Sequence, residues 1–126
     1  MNSPPKGIHP DMWTAILKQK QQGGIQLDRL PPDVHLVVKT RNSTYIIKPD
    51  KNGWLIQGGI YFPKETHVGI TGSTWGGNTI KPNWIGKDMN LEIWRENNNR
   101  PVTTSIIKQA IIIFKDGKQL PIWDNS

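Results

Sequence analysis

The chain has 126 residues, of which 35% are hydrophobic and 21% charged, and its formal net charge is +6. This length favours one domain with a single core. Because the sequence contains no cysteine, it has no disulfide framework, no thiol nucleophile and no thiolate metal site.

The positive charge and the lack of long apolar runs set expectations for partners. A basic balance favours anionic partners such as nucleic acid. No stretch approaches the ~18 apolar residues that a membrane-spanning helix needs, and the N-terminus has no apolar signal segment. We therefore expect a cytoplasmic protein with no membrane partner.

The N-terminal region predicts a disordered tail followed by a helix. Residues 1–9 are rich in proline and glycine and offer little to bury, so we expect disorder there. A helix over about 10–22 is indicated by Pro10 in the first turn and by Gly23 as a stop. Its apolar face carries Met12, Trp13, Ile16 and Leu17. Residues 10–126 are then predicted to form one β domain that begins with this helix.

The clearest β signal is a hairpin with strands at 34–41 and 44–48 and a turn at Asn42-Ser43. If the turn has two residues, Val38 pairs with Ile47 and Lys39 with Ile46. Alternation predicts a core face with Leu36, Val38, Thr40, Tyr45 and Ile47. The outer face then presents a basic stripe of Lys39, Arg41 and Lys48.

Further short strands follow to the end of the chain. The predicted strands lie at 54–57, at 60–62 where Pro63 ends the run, and at 67–71, 89–94, 102–107, 110–115 and 118–123. The run 110–115 is apolar enough to be a central strand buried on both faces, and Asp116-Gly117 predicts the last hairpin turn. This spacing favours an all-β fold, a small antiparallel barrel or sandwich with one N-terminal α-helix.

The segment 69–86 holds five glycines and two tryptophans. Glycine allows positive φ and close backbone approach, so we expect a tightly turning loop and the best candidate for a site. Its Gly72 to Gly77 spacing resembles a phosphate-binding loop, but the lysine and the following helix are missing. The histidines His9, His35 and His67 have no metal-ligand spacing, and we expect no cofactor.

Six tryptophans are many for a chain of this size. They either fill the core of a small barrel, or Trp75 and Trp84 are partly exposed and stack on a ligand. Alternation also places Trp94 on an outer strand face. The candidate ligand-binding residues are Lys39, Arg41, Lys48, Trp75, Lys81, Trp84 and Lys87, with the cations directed to phosphates and the indoles to bases.

These residues predict a non-catalytic binding module for an anionic ligand such as single-stranded nucleic acid. Two alternatives remain. The first is a protein-interaction module or homo-oligomer that uses exposed tryptophans and an edge strand. The second is an enzyme with a site in the 69–86 segment.

Several blocks also resemble a family of small uncharacterised bacterial proteins. The matching blocks, in this order, are Thr40 to Tyr45 (TRNSTY), Gly72 to Gly77 (GSTWGG), Ile80 to Gly86 (IKPNWIG), Met89 to Glu92 (MNLE) and Thr103 to Ser105 (TTS). The match spans roughly residues 36 to 107. The resemblance implies a bacterial origin and a compact β domain, and it implies no activity.

Overall fold

The computed structural model describes residues 3–75, 79–95 and 100–123. In chain order, the elements are α1 (Pro10–Gln21), β1 (Gly24–Gln26), a 3-10 turn (Leu27–Arg29), β2 (His35–Thr40), β3 (Thr44–Asp50), β4 (Gly53–Gly58), β5 (Phe62–Thr74), β6 (Ile80–Pro82), β7 (Trp84–Gly86), β8 (Asn90–Arg95), β9 (Val102–Ile113) and β10 (Gln119–Pro121). The prediction of an all-β fold with one N-terminal helix is confirmed.

Helix α1 begins where the sequence signals place it. The amide of Asp11 donates to Nδ1 of His9 at the N-cap, at 3.1 Å, and Pro10 occupies the first turn. The helix buries Trp13 and Ile16 against the core. It ends just before Gly23, whose φ of +79° is left-handed, a conformation that glycine adopts without strain.

Most strands form one antiparallel sheet whose pairings close into a ring. β2 pairs with β3, β3 with β4, β4 with β5, β5 with β8, β8 with β9, and β9 returns to β2. The outer strands β6 and β10 are attached to β5 and β9 and end at Pro82 and Pro121. β1 and β7 form a separate two-stranded sheet. This ring-like arrangement fits the predicted small barrel or sandwich.

The first hairpin has the predicted faces but not the predicted pairing. Leu36 pairs with Ile47 and Val38 with Tyr45, so the register differs by two residues from the one predicted for a turn at Asn42-Ser43. The turn still has two residues, but it lies at Arg41-Asn42 because Thr40 and Ser43 close it: the amide of Thr40 donates to the carbonyl of Ser43 at 2.8 Å. A shift of two residues keeps every side chain on its side of the sheet. The five predicted core residues are accordingly all buried.

Strand β5 corrects two predictions. Pro63 does not end a strand, because β5 starts at Phe62 and continues for 13 residues, while residues 59–61 form the turn that precedes it. The 69–86 segment is not one loop: it contains the end of β5 and all of β6 and β7. Residues 76–78, which hold part of the predicted turn, lie outside the described residues.

Strand β9 is central because it pairs with β2, β8 and β10. The prediction that its apolar run is buried on both faces is wrong in part. Ala110, Ile112 and Phe114 are buried, whereas Ile111 and Ile113 are half-buried on the other face. The predicted turn at Asp116-Gly117 and the short edge strand after it are both present.

A single cluster of buried apolar residues joins the sheet to α1, β1 and β7. It includes Trp13 and Ile16 from the helix together with Ile25 and Ile85 from the small sheet. The helix and the small sheet therefore cover part of the same core that the ring encloses.

Within the described ranges, no helix has the length and apolar character needed to cross a membrane.

Candidate functional site

The site is organised around Trp84 on β7. The indole ring of Trp84 packs against two glycines, Gly24 and Gly86. Gly24 and Gly86 pair across β1 and β7, and a Cβ built on either glycine would overlap the indole of Trp84. The two glycines therefore leave the space in which the ring packs. Trp84 is only 5% exposed, so of the two roles that the sequence leaves open for it, Trp84 has the core-packing one.

Two further interactions fix Trp84. The buried hydroxyl of Ser73 on β5 donates to the carbonyl oxygen of Trp84. The ammonium of Lys81 on β6 lies 3.9 Å from the centroid of the indole ring, a cation–π contact. Trp84 is therefore buried and positions the ammonium of Lys81 through the cation–π contact. Its ring is not an exposed surface on which a base could stack.

A cavity of about 270 Å³ adjoins this pair. Four of the seven predicted binding residues line it, namely Trp75, Lys81, Trp84 and Lys87. Trp75 is 59% exposed, so its indole is accessible to a ligand. The amide of Lys87 donates to the carbonyl of Gly23 at 3.1 Å, which ties this lysine's backbone to the end of α1.

A second cavity, of about 330 Å³, shares Gln22 and Trp84 with the first. Its other lining residues come from α1, β1 and the 3-10 turn, and they are Ala15, Lys18, Gln19, Gln26 and Arg29. Neither Lys18 nor Arg29 stands out in the sequence, because each is ordinary in its own segment. Only the packing of α1 beside β7 brings them to Trp84. We refer to the two adjoining cavities as the α1–β7 groove.

The α1–β7 groove is basic. Lys18, Arg29, Lys81 and Lys87 line it, together with three glutamine side chains, and none of the described residues that line it is a carboxylate or a histidine. In the part of the chain that the structure describes, none of these four cations forms a salt bridge. The same described ranges hold no cluster of histidine and carboxylate residues that could bind a metal ion. The groove can therefore attract an anion and donate hydrogen bonds to it.

The other three predicted residues lie apart from this groove. Lys39 is exposed on β2, and Arg41 is exposed in the turn beyond the end of that strand. Lys48 on β3 is half-buried and forms a salt bridge with Glu65, with 3.1 Å between Nζ and Oε2. Asp50 pairs with His67 nearby at 3.2 Å. The predicted basic stripe is therefore interrupted by carboxylates.

The six tryptophans divide between the two predicted roles. Trp13, Trp84 and Trp123 are buried, and Trp54 is partly buried against the core. Trp75 is exposed, as is Trp94 at 40%, which confirms the outward position that alternation predicts for Trp94. The indole that is both exposed and next to the groove is Trp75.

Comparisons with protein-family models, with curated proteins and with solved structures give no match to this chain. The resemblance to a bacterial family described above stays a prediction. The site must therefore be interpreted from its own geometry.

Proposed function

We propose that this protein is a non-catalytic binding module that holds an anionic ligand, single-stranded nucleic acid, in the α1–β7 groove. The observation that carries the proposal is the group of four cations around Trp84, in a groove that has no carboxylate among its described lining residues and that the exposed indole of Trp75 borders. Lysines and an arginine neutralise phosphates, and an accessible indole stacks on a base of any sequence.

The shape of the groove supports a chain-like ligand. Two cavities meet at Gln22 and Trp84, so cations lie on both sides of this junction. The side chains of Gln22 and Gln26 add amide donors and acceptors. A backbone with repeated phosphates can contact both cavities, whereas a single small anion would occupy one.

The experiment is a titration of the full chain with an oligonucleotide of mixed sequence, followed by tryptophan fluorescence at several salt concentrations. We expect quenching at low salt and an affinity that falls with salt at a slope of about −0.7 per phosphate neutralised. Replacing Lys81→Gln and Lys87→Gln together should reduce that slope by roughly 1.4. Trp75→Ala should weaken binding by about 1–3 kcal/mol.

Matched controls distinguish the contribution of the groove residues to binding from the effect of net charge alone. The pair Lys39→Gln and Arg41→Gln lowers the net charge by the same two units but lies outside the groove, so it should leave the slope nearly unchanged. Trp94→Ala removes an exposed indole elsewhere. Equal effects of the groove and control variants, or an affinity indifferent to salt, would exclude this site.

Protein interaction is a second candidate function, favoured by the β4–β5 turn. Ile60 is 86% exposed and Tyr61 is 54% exposed at its tip, and large exposed apolar side chains are typical of contact surfaces. If this tip mediates self-association, light scattering will show a mass that rises with concentration. The double variant Ile60→Ser and Tyr61→Ser will then return the protein to a monomer.

A further inference from the structure

A separate cavity of about 410 Å³ lies between the N-terminal segment, α1 and the last hairpin. Its apolar walls are Pro5, Trp13, Phe114, Leu120 and Pro121. Trp13 and Phe114 meet edge to face, with 5.7 Å between ring centroids and 69° between ring planes. This volume lies within the range of about 300–1,000 Å³ that small-molecule sites occupy.

The N-terminal segment is attached over this cavity. The amide of Lys6 donates to a carboxylate oxygen of Asp116 at 3.1 Å, and the amide of Ile8 donates to the carbonyl of Pro5 at 3.1 Å. Pro5 is buried. Although the sequence predicts disorder over residues 1–9, the described part of that segment forms one wall of the cavity.

The polar part of the lining is cationic. Lys20, Lys118, Gln119 and Ser3 lie there, and no carboxylate lies there among the described residues. Asp116 borders this region, but its carboxylate accepts hydrogen bonds from the amides of Lys118 and Lys6. These bonds hold its pKa below the ordinary value of 3.8. The carboxylate oxygens of Asp116 therefore already accept hydrogen bonds from backbone amides.

Two features of Trp13 bear on the ligand. Trp13 and Lys20 are seven residues apart on one face of α1, which separates them by ~10 Å along the helix axis. The indole Nε1 of Trp13 is buried and has no hydrogen-bond partner among the described residues. Because that atom is itself buried, it is not available to a ligand, and the part of Trp13 that lines the cavity is its apolar surface.

We propose that this cavity binds a small amphipathic carboxylate, with its apolar body against Trp13, Phe114 and Leu120 and its carboxylate at Lys20 and Lys118. The apolar walls contribute through the area that they remove from water. The two ammonium groups select a negative head group over a neutral one. This site shares no lining residue with the α1–β7 groove, so each proposal can fail without the other.

The test uses sodium octanoate as the probe and amide chemical shifts of the full chain as the readout. Saturable shifts should concentrate at Trp13, Lys20 and residues 114–120. Octanol, which has the same apolar body without the charge, should bind at least ~10-fold more weakly, because hydrogen bonds to charged groups are the stronger ones. Octanol binding as tight as octanoate binding would overturn the assignment of the lysines.

Variants complete the test. Lys20→Gln with Lys118→Gln should weaken octanoate binding by ~10-fold or more. The control pair Lys51→Gln with Lys64→Gln removes the same charge from two exposed residues outside the cavity and should leave binding unchanged. Equal losses in the two pairs, or shifts spread over the whole surface, would overturn the proposal. All four positions are at least partly exposed, and thermal melts will verify that each variant is folded.

Discussion

At the scale of single residues, Gly72 shows how the site depends on positions without a side chain. Its φ is +146°, and a Cβ there would overlap the carbonyl oxygen of Lys81 and lie 2.9 Å from the amide nitrogen of Asn83. We expect Gly72→Ala to lower the free energy of unfolding by about 2–4 kcal/mol, because strain and overlap add. Chemical denaturation measures this change.

Gly69 on the same strand is the matched control. Its nearest neighbour for an added Cβ is the Cβ of Trp94 at 3.9 Å, an ordinary contact. Gly69→Ala should therefore change stability by less than about 1 kcal/mol. If both alanine variants lose the same stability, the close approach of β5 and β6 at Gly72 is not what requires glycine.

The sequence predicts single positions well where the cause is local. Alternation along β2 and β3 assigns every predicted core residue correctly, because neighbouring side chains in a strand point to opposite faces. The burial of Trp84 is not predictable in this way. It depends on Gly24, which reaches Trp84 only through the pairing of β1 with β7.

At the scale of elements, β5 holds the site together. Its first half pairs with β4, and its second half pairs with β6 on one side and β8 on the other. Ser73 in this second half is fully buried and donates to the carbonyl of Trp84 on β7. The hydroxyl therefore links the large sheet to the small one.

We expect Ser73→Ala to lower the free energy of unfolding by about 1–3 kcal/mol, because it removes the donor to a buried carbonyl. Thr66→Ala is the control, since Thr66 on the same strand donates only to Lys64 two residues away, at an exposed site. Its effect should stay within about 0.5 kcal/mol. A loss in Thr66→Ala as large as that in Ser73→Ala would mean that this link between the sheets adds no stability.

The sequence predicts where strands begin and end less completely than it predicts which side of a strand each residue faces. Glycines at 69 and 72 indicate a turn when only neighbours in the chain are considered, yet both lie inside β5. At Gly72, glycine is needed because β6 approaches closely, which is a non-local cause. The same limit explains the groove: Trp75, Lys81 and Lys87 are near one another in sequence, whereas Lys18 and Arg29 join them only through folding.

At the scale of the whole molecule, one buried cluster joins helix and sheets. We therefore expect a single cooperative unfolding transition, with superimposable curves from far-ultraviolet circular dichroism and tryptophan fluorescence. Two separate transitions would show that α1 and the small sheet form an independent unit. Folding should take on the order of milliseconds to seconds, because the ring closes only when β9 pairs with the distant β2.

The two prolines that end β6 and β10 have a consequence for the molecule in a crowded solution. Neither Pro82 nor Pro121 has an amide hydrogen to offer an incoming chain. Among the described residues, these strands pair on one side only, with β5 and β9, and unprotected edges of this kind promote aggregation. Each proline interrupts the row of backbone hydrogen-bonding groups with which a strand of another molecule could pair. This opposes aggregation at β6 and at β10.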